Sequence, residues 1–405
     1  MIYQLVESHD YLPNSPIYSQ LDQLCFLSKN LYNATLYKVR QHYFTEKNYL
    51  SYNAVCKEFS SNNQSDYRAL PAKVSQATMK MVDQNFKSFF ELLKKKTAGN
   101  YDKPVRLPKY LPKLGRYVVH YTKQAVSTVK KPGYINLSKT TIFIKTKVPN
   151  VQFVRIVPKR YKITVEIGYQ VECQQSNVGN NIAGIDLGVN NLATVTFTRS
   201  LPFIVNGRPL KSINQFYNKI HSKQRSRQDH NGKKFTTKKM LALERKRDNK
   251  IKDYLHKSSR FIVNQLVSQS TTDLVVGYNQ GWKQGTRLGR QTNQNFVSIP
   301  FGRFIQMLQY KCQLVGIAVH LIDESYTSKA SYLGRDYIPT YGDSSIPVFS
   351  GKRIKRGLYQ AAQGQLINAD INGSLNIIRK HFQNSNREVA FADDVVSSPK
   401  VYTIG

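Results

Sequence analysis

Acidic residues are scarce in this chain: 25 Asp and Glu stand against 60 Lys and Arg in 405 residues, a formal net charge of +35. That excess is beyond what solubility needs, and its field favours a polyanion, above all a phosphate backbone. Cysteine is scarcer still. Cys25, Cys56, Cys173 and Cys312 are scattered with no C-x-x-C pair. They lack metal-ligand spacing and read as buried thiols, not disulfides. No apolar run reaches membrane-spanning length and no basic amphipathic anchor is present, which argues against a membrane partner. The opening MIYQLVESHD is polar and acidic, so no secretory signal is expected and the location expected is cytoplasmic, at the bacterial nucleoid in use. Internal repeats and low-complexity tracts are also lacking. With 40% hydrophobic residues the chain should fold, and its length suits two or three domains.

What is there changes character along the chain. Residues 1–20 read as a strand and a loop, and 21–100 as helical. Val74, Ala77, Met81, Phe86, Phe89, Phe90 and Leu93 recur at three- and four-residue steps, a core-facing stripe. Lys73, Lys80 and Lys87 lie on the other face, toward solvent or a nucleic-acid backbone. From 101 to 178, prolines separate short β-rich runs (YVVHY, TTIFIKT, VQFVRIV, YKITVEIGY) with interleaved Lys and Tyr, suggesting a small barrel. After the polar QQSNVGN come IAGIDLGV (182–189), NLATVTF (191–197) and FIVNG (203–207), then one or two long basic helices to about 270. DLVVGY, a helix from Pro300, AVHLIDE, a loop-rich insertion (325–366) and a helix over 368–382 follow. Hairpin strands first and helix-linked strands after make an α/β domain over 179–383. The last segment, 384–405, reads as a flexible tail.

Two carboxylates stand out. Asp186 interrupts the apolar GIDLG, where an acid is either a metal ligand or paired with a buried cation or amides. Gly184 and Gly188 flank it and leave room for a phosphate. Asp370, in INADINGSLNII, stands where either it or Asn368 could cap the helix, or where a second metal-binding acid could lie.

The pair GIDLGVNNLATVTF and INADINGSLNII, with VGYNQGWKQ (276–284), NQNFVSIPFGRFIQML (293–308) and ESYTSK (324–329) between them, resembles the TnpB family of transposon-encoded nucleases, relatives of the type V CRISPR effectors. The resemblance implies an RNase H-like (RuvC) nuclease domain, preceded by a wedge-like β-barrel (1–20 and 101–178) with an inserted helical recognition domain (21–100). It implies a DNA endonuclease guided by RNA, with guide RNA and double-stranded target DNA as partners and a pair of Mg²⁺ ions held by carboxylates. Arg225, Arg227, Lys233, Lys234, Lys238, Lys239, Arg245, Lys246 and Arg247 of the basic helices are expected to meet phosphate, together with Trp282 and Lys283 of the VGYNQGWKQ run.

The chain departs from the family pattern twice. Gly277 stands where the usual glutamate would be, and no acid occurs between Asp273 and Asp323. By elimination the third carboxylate is Glu324 or Asp323. Side chains alternate across a strand, so only one can join the site, and the longer Glu324, at the head of ESYTSK, is favoured. The insertion also lacks every zinc-binding cysteine, so no zinc is expected, and its tyrosines, Ile338, Ile346, Val348 and Phe349 would hold it. Two other readings stay open: a nuclease-dead RNA-guided DNA-binding repressor, and a guide-independent transposase.

Overall fold

The computed structural model describes residues 2–129, 131–173, 179–230, 232, 236–279, 290–340, 342, 347–385 and 387–405. Two compact units divide the chain, Ile2–Val171 and Glu172–Gly405. Among the described residues no helix is long and apolar enough to cross a membrane.

In the first unit, β1 (Ile2–Tyr11) leads into helices α1 (Tyr18–Glu46), α2 (Tyr52–Ser61), α3 (Ser65–Arg68) and α4 (Ala72–Thr97). Strands β2 (Val119–Thr122), β3 (Val126–Ser127), β4 (Tyr134–Leu137), β5 (Phe143–Lys145), β6 (Val151–Pro158) and β7 (Ile163–Glu172) follow. They form two sheets, β1-β7-β6-β2 and β3-β4-β5, whose pairing does not close among the described residues. On α4 the buried face is Val74, Ser75, Thr78, Met79, Val82, Phe86 and Phe89. Ala77 and Met81, expected in the stripe, are only half-buried. Ser75 and Thr78 take their places because each hydroxyl finds a carbonyl, on Tyr67 at 2.8 Å and Val74 at 3.2 Å.

The second unit is built on β8 (Asn181–Leu187), β9 (Asn191–Phe197), β10 (Phe203–Asn206), α5 (Arg208–His230), α6 (Lys238–Ser268), β11 (Thr271–Gly277), α7 (Arg290–Ser298), α8 (Phe301–Leu314) and β12 (Ala318–Ile322). It continues through β13 (Lys352–Lys355), β14 (Leu358–Gln360), β15 (Leu366–Asn368), α9 (Ala369–Asn384) and β16 (Lys400–Tyr402). The main sheet runs β12-β11-β8-β9-β10-β16. Strands β8, β9 and β10 pair antiparallel, whereas β11 runs parallel to β8 and β12 parallel to β11. Helices α6 and α8 share one core with the strands through Leu255, Ile262, Leu266, Phe304 and Leu308.

The C-terminal stretch, expected to be a flexible tail, is built into the domain. β16 pairs parallel with β10, and Val395 is buried beside Tyr359, Ile371 and Leu375. A sheet edge offers unpaired backbone groups, and this segment takes them up.

The insertion also differs from expectation. Strands β13, β14 and β15 form a small sheet. Ile338 is buried and the Phe349 ring lies tilted beside Tyr326, but Val348 is 91% exposed, and Ile346 lies outside the described residues. The segment before the sheet is held by polar side chains of α9. Asn372 donates to Ala330 O at 2.8 Å and accepts from Tyr332 N at 2.9 Å, and Asn376 donates to Thr327 O at 3.0 Å. Arg379 donates to Asp336 O at 2.9 Å, and Gln383 donates to Ile338 O at 3.0 Å.

Candidate active site

The site begins with how closely α9 lies on β8. A Cβ on Gly184 would come within 2.6 Å of Ser374 O, so glycine is needed for the helix to pack there. Of the two glycines read from sequence as leaving room for a phosphate, Gly184 has its space filled by α9, whereas Gly188 lines an open cleft. Ser374 fastens the contact, its hydroxyl donating to Gly184 O at 3.0 Å and Thr194 O at 3.1 Å. Asn368 caps α9, accepting from Asp370 N at 2.9 Å and Ile371 N at 3.2 Å. That decides between the two readings of this turn: Asn368 does the capping, and the Asp370 carboxylate is left for other work.

Asp186 faces α9 from the C-terminal part of β8, near enough that a Cβ on Gly373 would be 3.1 Å from its Oδ2. Burial raises its carboxyl well above the ordinary carboxylate range, and the charges of Glu324 and Asp370 push it further, with Arg353 opposing. Glu324 follows β12, which flanks β11 on the side away from β8. A Cβ on Gly277 would lie 3.2 Å from both Cβ and Oε2 of Glu324, so the glutamate side chain reaches across the place where the residue at 277 would project. Burial, then the charge of Asp323, raise its carboxyl to about 7, with Lys380 opposing. Asp323 turns elsewhere, to the Lys380 ammonium at 3.2 Å and Ser325 N at 2.9 Å.

A cleft of about 570 Å³ opens over Asp186 and Asp370, lined also by Gly188, Asn191 and Thr194 and by the cations Arg208, Arg353 and Arg356. Both oxygens of Asp370 are engaged. Asn191 Nδ2 donates to Oδ2 at 2.6 Å, and Arg353 pairs with Oδ1 at 3.6 Å. Among the described residues no three His, Cys, Asp or Glu side chains gather closely enough, as they stand, to hold an ion. The chemistry of the donors nevertheless suits a hard divalent cation: the Asp186 carboxyl senses the charges of both Glu324 and Asp370, and neither His nor Cys lines the cleft. Asp186, Glu324 and Asp370 are the residues that would hold one.

The OrfB_IS605 family model, described as a probable transposase, matches residues 160–283, and the Cas12f1-like TNB domain matches 301–377. A TnpB-like protein of Acidianus two-tailed virus, ORF457, is 23% identical over 91% of this chain and 85% of its own length. The chain is similar to the TnpB family. A solved complex of Cas12f1 with guide RNA and target DNA superposes with a TM-score of 0.51 at 14% identity, covering 89% of this chain and 82% of that one. At that identity the likeness speaks for fold alone, and the second unit has the RuvC fold of that group.

Within this TnpB-like chain the expected phosphate contacts fall into three groups. Arg225, Arg227, Lys238, Lys239 and Lys246 on α5 and α6, and Lys73, Lys80 and Lys87 on α4, are exposed; Arg245 is half-buried. Some have local partners: Arg225 lies 3.3 Å from Asp229, Lys87 2.8 Å from Asp83, and Lys80 over the Tyr52 ring. Arg247 is committed to packing, contrary to expectation. It donates to Asn214 Oδ1 at 2.8 Å and Ser298 O at 3.2 Å and covers the Tyr217 ring. Lys233, Lys234, Trp282 and Lys283 lie outside the described residues. The sequence reading missed Arg208, Arg356 and Asn191 at the cleft. Asn191, five residues after Asp186 across a hairpin turn, had a readable signal; the arginines, in two distant basic stretches, had none.

Proposed function

We propose that this chain is an RNA-guided DNA endonuclease of a transposable element, with Asp186, Glu324 and Asp370 as its catalytic carboxylates. The observation that carries the reading is that Asp186 and Asp370, from β8 and the start of α9, line one arginine-rimmed cleft in a RuvC fold, with Glu324, just beyond β12, near enough to Asp186 for its charge to raise that carboxyl. A divalent cation, most naturally Mg²⁺, would supply a lowered pKa for the attacking water and charge stabilisation for the leaving 3′-oxygen. The chain's own part is to hold three carboxylates without competing soft ligands and to line the cleft with guanidinium groups able to meet a DNA phosphate.

Guide pairing supplies the sequence specificity in this reading, and a short motif beside the target is read directly by the protein. Residues 21–100 act as a recognition domain, and the strands on either side of it act as the wedge. The support is the similarity to the TnpB family and the guide RNA and target DNA in the Cas12f1 complex that this fold resembles.

The test replaces Asp186 or Asp370 with Ala. Mg²⁺-dependent cutting of a guide-matched target should vanish, while affinity for the RNA that copurifies should be unchanged, because that affinity comes from basic surface. Wild-type cutting by Asp186→Ala refutes the assignment. An active protein that copurifies with no RNA of defined sequence favours a guide-independent transposase.

A further inference from the structure

Lys380, on α9, has no surface open to solvent. A buried ammonium is costly unless its protons are all taken up. Here Nζ donates to Asp323 Oδ1 at 3.2 Å, Ser325 O at 2.8 Å and Pro339 O at 3.1 Å. Two of these acceptors belong to the residues on either side of Glu324.

That placement answers a problem set by the position of Glu324. A residue at 277 is the last of β11, which is paired on both sides: Gly277 lies opposite Ile322 of β12, and Val276 opposite Ile185 of β8. The sheet itself would aim an acid there. Glu324 stands two residues beyond β12, an edge strand, and has no ladder to hold it. Side chains hold its backbone instead. Its N–H donates to Asn279 Oδ1 at 2.9 Å, and its carbonyl accepts from Thr327 Oγ1 at 2.8 Å. Lys380 fixes the residues before and after it.

The geometry points to Lys380 as a positioning residue for Glu324. It rests on the assignment of Glu324 to the nuclease site made above. Asp370 opens α9 and Lys380 follows ten residues later, roughly 15 Å along the axis at about 1.5 Å per residue. One helix therefore fixes Asp370 directly and Glu324 through the ammonium, so the spacing of the two carboxylates is set by a single rigid element. Asp323 and Glu324 divide the work: Asp323 balances the buried charge and Glu324 faces the site.

The experiment compares Lys380→Met with the double variant Lys380→Met/Asp323→Asn, both in complex with guide RNA. The single variant leaves Asp323 without its cation. The double leaves no lone charge, so it melts above the single variant, though Ser325 O and Pro339 O still lack their donor, and it carries the test should the single variant not fold. If Lys380 positions Glu324, the double variant still turns over about 10- to 100-fold more slowly, with KM for target DNA and RNA affinity nearly unchanged. A purely structural role would instead let turnover recover together with the melting temperature, and wild-type turnover in the folded double variant overturns the proposal. A parallel Glu324→Gln variant with wild-type turnover would overturn the assignment of Glu324 itself.

Discussion

A methyl group on Gly277 would meet Cδ1 of Ile377 at 2.6 Å as well as Glu324 at 3.2 Å. The isoleucine contact is with the tip of a flexible side chain and can be relieved. The glutamate contact cannot be relieved without moving the carboxylate. Gly277→Ala should therefore fold with a near-normal melting temperature but cut roughly 10-fold more slowly, since displacement of a reacting group by part of an ångström is costly. Undiminished single-turnover cutting would mean that Glu324 works from another orientation. The raised carboxyl of Glu324 makes a second statement at this scale. A group whose pKa rises on folding, here from 4.5 to about 7, lends stability that is complete below pH 4.5 and lost as pH rises through 7. In the presence of a chelator, Glu324→Gln should thus melt above the wild type near pH 8, by on the order of 2–3 kcal/mol, and no higher near pH 4. Thermal melts at the two pH values check it, and equal stability near pH 8 would show that the site does not strain this carboxylate.

At the scale of elements, what could be read depended on how the element is stabilised. Strands β8, β9 and β11 are buried apolar runs, and α8 and α9 have apolar stripes, so each announced itself. Asp186 was legible for the same reason, as a charge in an apolar strand, whereas Asp370, which alone reads as a helix cap, stood out through its pairing with Asp186 in the family resemblance. Strand β13 is exposed along its whole length and carries no period, and β16 is three residues long inside a polar tail, so pattern alone gave neither away. The polar contacts of α9 were hidden differently: Asn372, Asn376 and Lys380 look like a solvated face, yet all three are fully buried because main-chain acceptors of the insertion meet them. Asn376 alone donates to both Thr327 O and Ala330 O. Asn376→Ala leaves Thr327 O unmet and Ala330 O with Asn372 as its donor, and should cost about 1–3 kcal/mol, measured by denaturant unfolding. Since these contacts do not involve metal, removing zinc with a chelator should leave the melting temperature unchanged. Stoichiometric zinc by elemental analysis, with a fall in melting temperature on its removal, would contradict this.

At the scale of the whole molecule the question is where a charge of +35 is spent. Sequence alone does not distinguish a lysine that meets phosphate from an arginine that holds two helices together, because both stand in the same basic run. The structure separates them for α5 and α6. Arg225, Arg227, Lys238 and Lys239 are exposed, and the pairing of Arg225 with Asp229 is a surface pair of small energetic weight. Arg247 joins α6 to Asn214 of α5 and to the carbonyl of Ser298 at the end of α7. Neutralising the first four to Gln should leave the melting temperature alone and flatten the dependence of log Kd on log salt, by about 0.7–0.9 for each phosphate the protein no longer neutralises. Arg247→Ala should do the opposite. It lowers stability by about 1–3 kcal/mol through the hydrogen bonds it abandons and leaves the salt slope of the folded fraction as it was. Binding titrations with guide RNA at several salt concentrations, paired with thermal melts of the same preparations, read both quantities. A steep, unchanged slope in the fourfold variant would put that face of α5 and α6 outside the nucleic-acid interface, and a reduced slope for Arg247→Ala at full stability would return that arginine to it.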